Sequence, residues 1–205
     1  ARLEAFCRGQ QLTREALYCR LTGGDRTLVL RLAEAMSTNY TTFFREPEIF
    51  TFLGESILRT LPAGEPARFW SAAASSGEEA YSLAIFLQEH MGEVGATARV
   101  RILGTDLSER HVRSAEEGIF SLQKVQQLEE HRRPFFEPLG IGQWRARASL
   151  RKMCTFRRMN LTQPTWPFEQ RFHVIFLRNV LYYFAAPVRR AVIEACYEVT
   201  EPGGW

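Results

Sequence analysis

The 205-residue chain lacks any apolar run near the ~18 residues a membrane span needs, and no secretory signal pattern opens it, so no integral membrane segment is expected. Its four cysteines, Cys7, Cys19, Cys154 and Cys196, form no C-x-x-C pair, and its four histidines are scattered. Neither a zinc site nor a disulfide framework follows. The thiols are expected to be reduced packing residues of a cytosolic protein, with no metal bound. An excess of either charge is also missing: a net +3 is too small to imply nucleic acid, and no nucleic-acid partner is expected. Repeats and low-complexity tracts are missing as well. What remains is an ordinary soluble composition, long enough for one mid-sized domain or one domain plus a small appendage.

The most informative stretch is Trp70-Ser-Ala-Ala-Ala-Ser-Ser-Gly-Glu-Glu-Ala-Tyr-Ser82. It reads as a short strand, a run of tiny residues ending in Gly77, then an acidic first helical turn. Small side chains from Ser71 to Gly77 let the backbone approach a ligand closely. Glu78 and Glu79 stand where a phosphate would otherwise bind the helix N-terminus, which disfavours a phosphate-bearing cofactor and favours a cationic one. S-adenosylmethionine, with an ammonium and a sulfonium, fits that description. The same pattern also serves plain packing with dipole-compensating glutamates.

Residues 1–36 read as helical, broken at Gly23-Gly24-Asp25, and residues 37–66 as a linker and a helix over 46–60 with Pro47 in its first turn. From Ala67 onward, strands alternate with helices: strands at Arg68–Ala73, Arg99–Thr105 and Phe172–Leu177, and helices at Glu79–Met91, Ser108–Gly118 and Pro187–Val199. This predicts an α/β fold with a parallel sheet covered on both faces and a site at the strands' C-terminal ends. Between 121 and 166 the alternation lapses. Gln143–Ala148 and Met153–Arg158 are expected to form two short strands of an antiparallel insertion. Eight Arg and Lys residues fall between Arg132 and Arg158, with Glu137 the only acid among them. A basic patch facing an acidic partner and a solvated strand edge are both consistent with that. The closing Glu-Pro-Gly-Gly-Trp205 reads as a turn into a further strand, so a C-terminal truncation is expected.

Three further segments bear on the same crevice. Asp106 ends the second strand, 29 residues beyond Gly77; it suits ribose binding, or caps the next helix. Arg178 and Asn179 follow a buried strand, where their donors demand partners, and one of Tyr182 and Tyr183 is expected in the core. Thr38-Asn-Tyr-Thr-Thr-Phe-Phe-Arg45 sets polar groups beside paired aromatics.

Taken together, the motifs at 38–45, 70–82, 104–108 (Gly-Thr-Asp-Leu-Ser) and 178–184 (Arg-Asn-Val-Leu-Tyr-Tyr-Phe) resemble those of the CheR family, the chemotaxis-receptor glutamate methyltransferases. The resemblance implies a Rossmann-like S-adenosylmethionine-dependent methyltransferase domain over 67–205. It also implies a helical N-terminal domain over 1–36 and a β-subdomain inserted at about 121–158. It carries cofactor contacts onto Asn39, Thr41, Arg45, Glu79, Asp106, Asn160, Leu161, Arg178 and Asn179, and catalytic roles onto Arg45 and Tyr183. Glu79 resembles the carboxylate that holds the cofactor's methionine end, Asp106 the ribose ligand, and Tyr183 the wall of the methyl-transfer pocket. The implied reaction esterifies glutamates in the cytoplasmic region of chemoreceptors, and the implied location is the cytoplasm. Leu177 departs from the family's frequent Cys, and the first thirty or so residues match weakly.

A glutamate with a pKa near ~4.3 is already ionised at neutral pH, so methyl transfer to it needs no general base, and no acid–base dyad is apparent. Two rivals stand beside this reading. A small-molecule methyltransferase would share the cofactor motifs but not the Asn-x-Thr-x-x-Phe-Arg element; a catalytically inert relative would bind the cofactor for regulation alone.

Overall fold

A computed structural model describes residues 1–36 and 40–205 and divides the chain into two compact units, Ala1–Tyr40 and Thr41–Trp205. The first holds three helices, α1 (Arg2–Gly9), α2 (Arg14–Thr22) and α3 (Arg26–Met36), closed on a small cluster of Cys7, Leu17 and Leu28. Thr13 caps α2 by accepting from the Ala16 N–H at 3.1 Å.

The second unit opens with α4 (Pro47–Phe52), begun by a proline that suits a first turn and continued by a π turn and a 3-10 turn to Thr60. Strand β1 (Ala67–Ala72) leads into α5 (Glu78–Met91) and α6 (Glu93–Arg99), then β2 (Val100–Asp106) and α7 (Glu109–Glu117). A second sheet follows with β3 (Ile119–Ser121), the short α8 (Leu122–Gln126), β4 (Phe136–Gly140) and β5 (Gln143–Ala146). Then come α9 (Ala148–Met153), β6 (Cys154–Arg158), β7 (Val174–Phe176) and α10 (Ala186–Glu198).

The main sheet is parallel, in the order β6-β2-β1-β7, with Phe69 of β1 registered between Ile102 of β2 and Val174 of β7. Because β1 sits between the strand that follows it and the strand added on its other side, chain order reverses there. That switch point opens a crevice at the C-terminal strand ends. Helix α5 covers one face and is buried over most of its length, with Leu83, Ala84, Ile85 and Leu87 fully buried. The other face is built on Trp70, also fully buried. Its ring meets Trp166 and Phe168 edge-on at 4.9 Å, and its indole N–H donates to Thr105 Oγ1 at 2.9 Å. Residues 200–205 return to the edge of β7, where the Ile175 N–H donates to the Trp205 carbonyl at 2.8 Å.

The expected α/β architecture with a parallel sheet and a separate antiparallel sheet is present, with one correction inside it. The strand expected over Met153–Arg158 does not pair with Gln143–Ala146. It is β6, parallel to β2 at the edge of the main sheet, with a helix between the two segments. The antiparallel partners of β5 are β3 and β4, short strands whose residues carry little alternation of their own.

Candidate functional site

Where β1 ends, Ala73 (φ 69°) and Ser75 (φ 49°) take left-handed backbone before Gly77 (φ 96°) opens α5. A Cβ on Gly77 would stand 3.0 Å from that of Ala115 on α7, so both backbone and packing demand glycine there. Asp106 closes the turn against β2: Oδ2 accepts from the Ser75 N–H at 2.8 Å and Oδ1 from the Ser108 N–H at 2.9 Å. A carboxylate offers about four acceptor positions, so these two bonds leave capacity for a ligand's hydroxyls. The Met159 N–H donates to the Asp106 carbonyl at 2.9 Å, which sets Asn160 and Leu161 beside the same strand end. Asn160 folds its side chain onto Thr162 in a tight polar turn, while Leu161 packs into the Trp70 face.

The two glutamates of the Gly-Glu-Glu turn diverge. Glu79 lies on the crevice side with 16% of its side chain exposed. Its Oε1 accepts from the Ser71 hydroxyl at 2.7 Å and its Oε2 from Arg178 Nη1 at 3.0 Å. Burial pushes the Glu79 carboxyl above its ordinary value, against the pull of the Ser71 hydroxyl and the Arg178 guanidinium. Glu78 instead turns inward, fully buried, to an ion pair with Lys124 of α8 and a 2.7 Å bond from the Ser76 hydroxyl.

Arg178 joins three segments. Besides Glu79, its Nη2 lies 3.1 Å from Glu46 Oε2 and donates to the Arg45 carbonyl. Asn179 adds a bond from Nδ2 to Glu46 Oε1 at 3.2 Å, and the donors of Asn179 and Arg178 hold the Glu46 carboxyl below its ordinary value. Phe43 and Phe44 fix that segment. Phe43 packs edge-on against Phe120 and Phe136 at 4.9 and 5.2 Å, and Arg132 lies over the Phe44 ring at 3.8 Å. Among the described residues, six non-glycine positions have left-handed backbone, and five (Phe44, Glu46, Ala73, Ser75, Asn179) border this crevice. Strain of that kind concentrates where a site is held in one geometry.

The structure thus gathers Arg45, Glu79, Asp106, Asn160, Leu161, Arg178 and Asn179 around the strand ends, while Asn39 lies outside the described residues. Thr41 is half-buried at the start of the Phe43–Glu46 segment. The expectation that Tyr182 or Tyr183 belongs to the core is overturned. Both are exposed, their rings 4.3 Å apart with a hydroxyl–hydroxyl contact of 3.2 Å. Ser71 and Glu46 belong to the site although neither was singled out by the sequence. Glu46 directly follows the Phe-Phe-Arg motif, and an acid there is the one cue available. Nothing local marks Lys124, whose partner is 46 residues away.

The chemistry of this donor set fits a zwitterion carrying a ribose. Glu79 offers a carboxylate to an ammonium, and Asp106 offers acceptor capacity to hydroxyls. Arg178 Nε and Ser75 Oγ are buried polar atoms without a hydrogen-bond partner. No group of three or more metal-ligating side chains occurs among the described residues. No helix among them is long and apolar enough to cross a membrane.

An open parallel sheet with a small-residue turn at its switch point and an acid ending the next strand defines a Rossmann-like domain with its ligand crevice at the C-terminal strand ends. The family model described as "CheR methyltransferase, SAM binding domain" matches residues 39–205. A chemotaxis protein methyltransferase of Borreliella burgdorferi is 34% identical over 78% of this chain and 59% of its own length. Chemotaxis protein methyltransferase 2 of Pseudomonas aeruginosa is 34% identical over 83% and 61%, and chemotaxis protein methyltransferase 1 of Vibrio cholerae 34% over 90% and 68%. The chain belongs to the CheR methyltransferase family, and its cofactor is S-adenosylmethionine. It spans about three fifths of the length of the first two of these relatives. A solved glycopeptide N-methyltransferase, MtfA in complex with sinefungin, aligns over 80% of this chain and 48% of its own, with 15% identity and a TM-score of 0.46.

Proposed function

We propose that this chain forms glutamate methyl esters on the cytoplasmic region of chemoreceptors and acts in the cytoplasm. The observation that carries the reading is the Glu79–Arg178–Glu46 chain of ion pairs. It ties the Gly-Glu-Glu turn, the loop after β7 and the Phe-Phe-Arg segment into one polar wall. Membership of the CheR family supports the substrate class, as do the names of relatives called chemotaxis protein methyltransferases.

S-adenosylmethionine, when bound, supplies an electrophilic methyl on a sulfonium. The chain's own residues bind and orient. Glu79 holds the ammonium, with Ser71 and Arg178 fixing the carboxylate in place. Asp106 takes the ribose hydroxyls while its other lone pairs keep the turn closed. Asn160 and Leu161 border the adenine, and Thr41 adds to the cofactor side. Arg45 pairs with the cofactor's carboxylate, and Tyr183 lines the approach of the incoming glutamate. That nucleophile is already ionised, so the protein's task is alignment and exclusion of water rather than proton removal. The helical unit over 1–36 and the antiparallel sheet belong to receptor engagement in this scheme.

The test is radiolabelled methyl transfer from S-adenosylmethionine to chemoreceptors of the source organism, followed by mild alkali. A glutamate methyl ester then releases labelled methanol and regenerates the carboxylate. Label that resists alkali points to N-methylation, and label that appears only on small molecules removes the receptor as substrate.

A further inference from the structure

Glu78 and Glu79 are consecutive residues of the first turn of α5, so whatever fixes the rotation of one peptide plane fixes the other. Glu79 faces the crevice, and Glu78, about 100° away round the helix, is fully buried. Three contacts hold Glu78. The Ser76 hydroxyl donates to Oε2 at 2.7 Å, the Ser82 hydroxyl donates to the main-chain carbonyl at 2.7 Å, and the Lys124 ammonium pairs with Oε1. The two serines belong to the same turn and helix. Lys124 alone of the three comes from elsewhere, from α8 within the antiparallel sheet's region.

Lys124 is itself well placed. Its N–H donates to the capping Ser121 Oγ at 3.3 Å, the Leu122 N–H donates to the Gly142 carbonyl of the β4–β5 turn at 2.8 Å, and the neighbouring Val125 is buried in the main core. A buried carboxylate stripped of its counter-ion is costly, so the turn cannot relax around a missing ammonium without moving. The Phe44 N–H also donates to Ser82 Oγ at 2.9 Å, so the Phe-Phe-Arg segment hangs on the same helical turn.

We infer that Lys124 is a positioning residue: its ion pair with Glu78 couples the antiparallel subdomain to the turn that carries Glu79. Cofactor binding and the conformation of that subdomain are then linked in both directions, as any such coupling must be. A partner seated on the subdomain would tighten the hold on the cofactor, and the bound cofactor would stiffen the subdomain. The inference rests on the cofactor reading of Glu79.

The experiment uses S-adenosylhomocysteine as the probe on the whole chain, with calorimetry for affinity and hydrogen exchange for reach. In the unmutated protein the probe should slow exchange both at residues 74–82 and at residues 119–126. Lys124→Met should weaken binding about tenfold and abolish the protection at 119–126 while keeping that at 74–82. Lys124→Arg should restore both. Should Lys124→Met fail to fold, the double variant Glu78→Gln/Lys124→Met removes the stranded charge and should show the same losses. Unchanged affinity in either variant, or undiminished protection at 119–126, overturns the coupling while leaving the cofactor site intact. No binding of the probe to the unmutated protein overturns the cofactor reading, and the coupling with it.

Discussion

Arg178 Nη1 lies 3.0 Å from Glu79 Oε2, so the polar pair that follows β7 grips the first turn of the helix after the neighbouring strand β1. The Glu79 carboxyl is raised above its ordinary value because burial outweighs the Ser71 hydroxyl and the Arg178 charge. Binding an ammonium requires the ionised form. Affinity for S-adenosylhomocysteine should therefore fall as pH drops, beginning at a higher pH than an exposed glutamate would give. The complex, which favours the charged carboxylate, holds it ionised to lower pH. Glu79→Gln should bind more weakly at pH 7 and lose that acid limb. An identical pH profile in the variant, measured by calorimetry, would take Glu79 out of the ammonium site.

Arg178 also serves Glu46, and only 12% of its side chain is exposed. Removing the guanidinium strands two carboxylates, one of them largely buried, so Arg178→Met should cost about 3–5 kcal/mol of stability, the range for breaking a buried pair. Lys in its place restores one charge without the fork that reaches both partners and should recover part of the loss. Denaturant midpoints of the two variants measure the difference. Equal midpoints for Met and the unmutated protein would mean that the pair is merely a surface contact.

Asp106 binds the turn as well as the proposed ribose, so its variants separate two effects. Asp106→Ala should weaken S-adenosylhomocysteine binding by about 1.5–3 kcal/mol, and should also lower the melting temperature through loss of the acceptors for Ser75 and Ser108. Asp106→Asn keeps one carbonyl acceptor and should lose less stability than affinity. If affinity survives in either folded variant, Asp106 is a turn residue only.

Much of this site was legible because the elements that build it are short-range. The strand Trp70–Ala72, the small-residue turn and the acidic helix start are contiguous, and each has its own local chemistry. Asp106 could be placed because a strand simply ends on it. What was not legible depended on distance. The edge strand Cys154–Arg158 carries too few apolar residues to announce a parallel partner, and its pairing with β2 is set by the tertiary fold. The tyrosine pair misleads for a related reason: aromatics after a buried strand suggest core, but the chain has already left the sheet at Asn179, whose φ of 55° turns it outward. Lys124 meets Glu78 only because the antiparallel sheet folds back over α5.

The arginines of the insertion divide once their contacts are known. Arg145 Nε donates to the Glu117 carbonyl at 3.1 Å and Arg151 Nε to the Ala146 carbonyl at 3.2 Å, so both support the local backbone. Arg145→Gln and Arg151→Gln should each cost about 1 kcal/mol of stability. Arg147, 3.7 Å from Glu137 and half-exposed, is the better probe of an acidic partner. Arg147→Gln should slow methylation of intact receptor at low salt while leaving the melting temperature unchanged. A rate insensitive to both salt and the substitution removes this arginine from recognition.

Arg45 decides between a working transferase and a binding module. Its carbonyl is held by Arg178, and its Nε lies 3.8 Å from Glu46 Oε1, so the backbone is fixed while the guanidinium remains a third exposed at the crevice. A cation so placed can pair with the cofactor's carboxylate, or steady the incoming glutamate while its negative charge is consumed. In the first role, Arg45→Lys loses the bidentate fork and should weaken S-adenosylmethionine binding about tenfold, ~1.4 kcal/mol, with the single-turnover rate at saturation unchanged. In the second, affinity persists and the saturated rate falls. The position of Arg45 beside Arg178 and Glu79, which grip the same end of the proposed cofactor, favours the first. Titration followed by single-turnover transfer to receptor distinguishes them: normal affinity with slow transfer assigns Arg45 to the substrate. Tight cofactor binding with no transfer by the unmutated protein to any receptor would leave only the regulatory role.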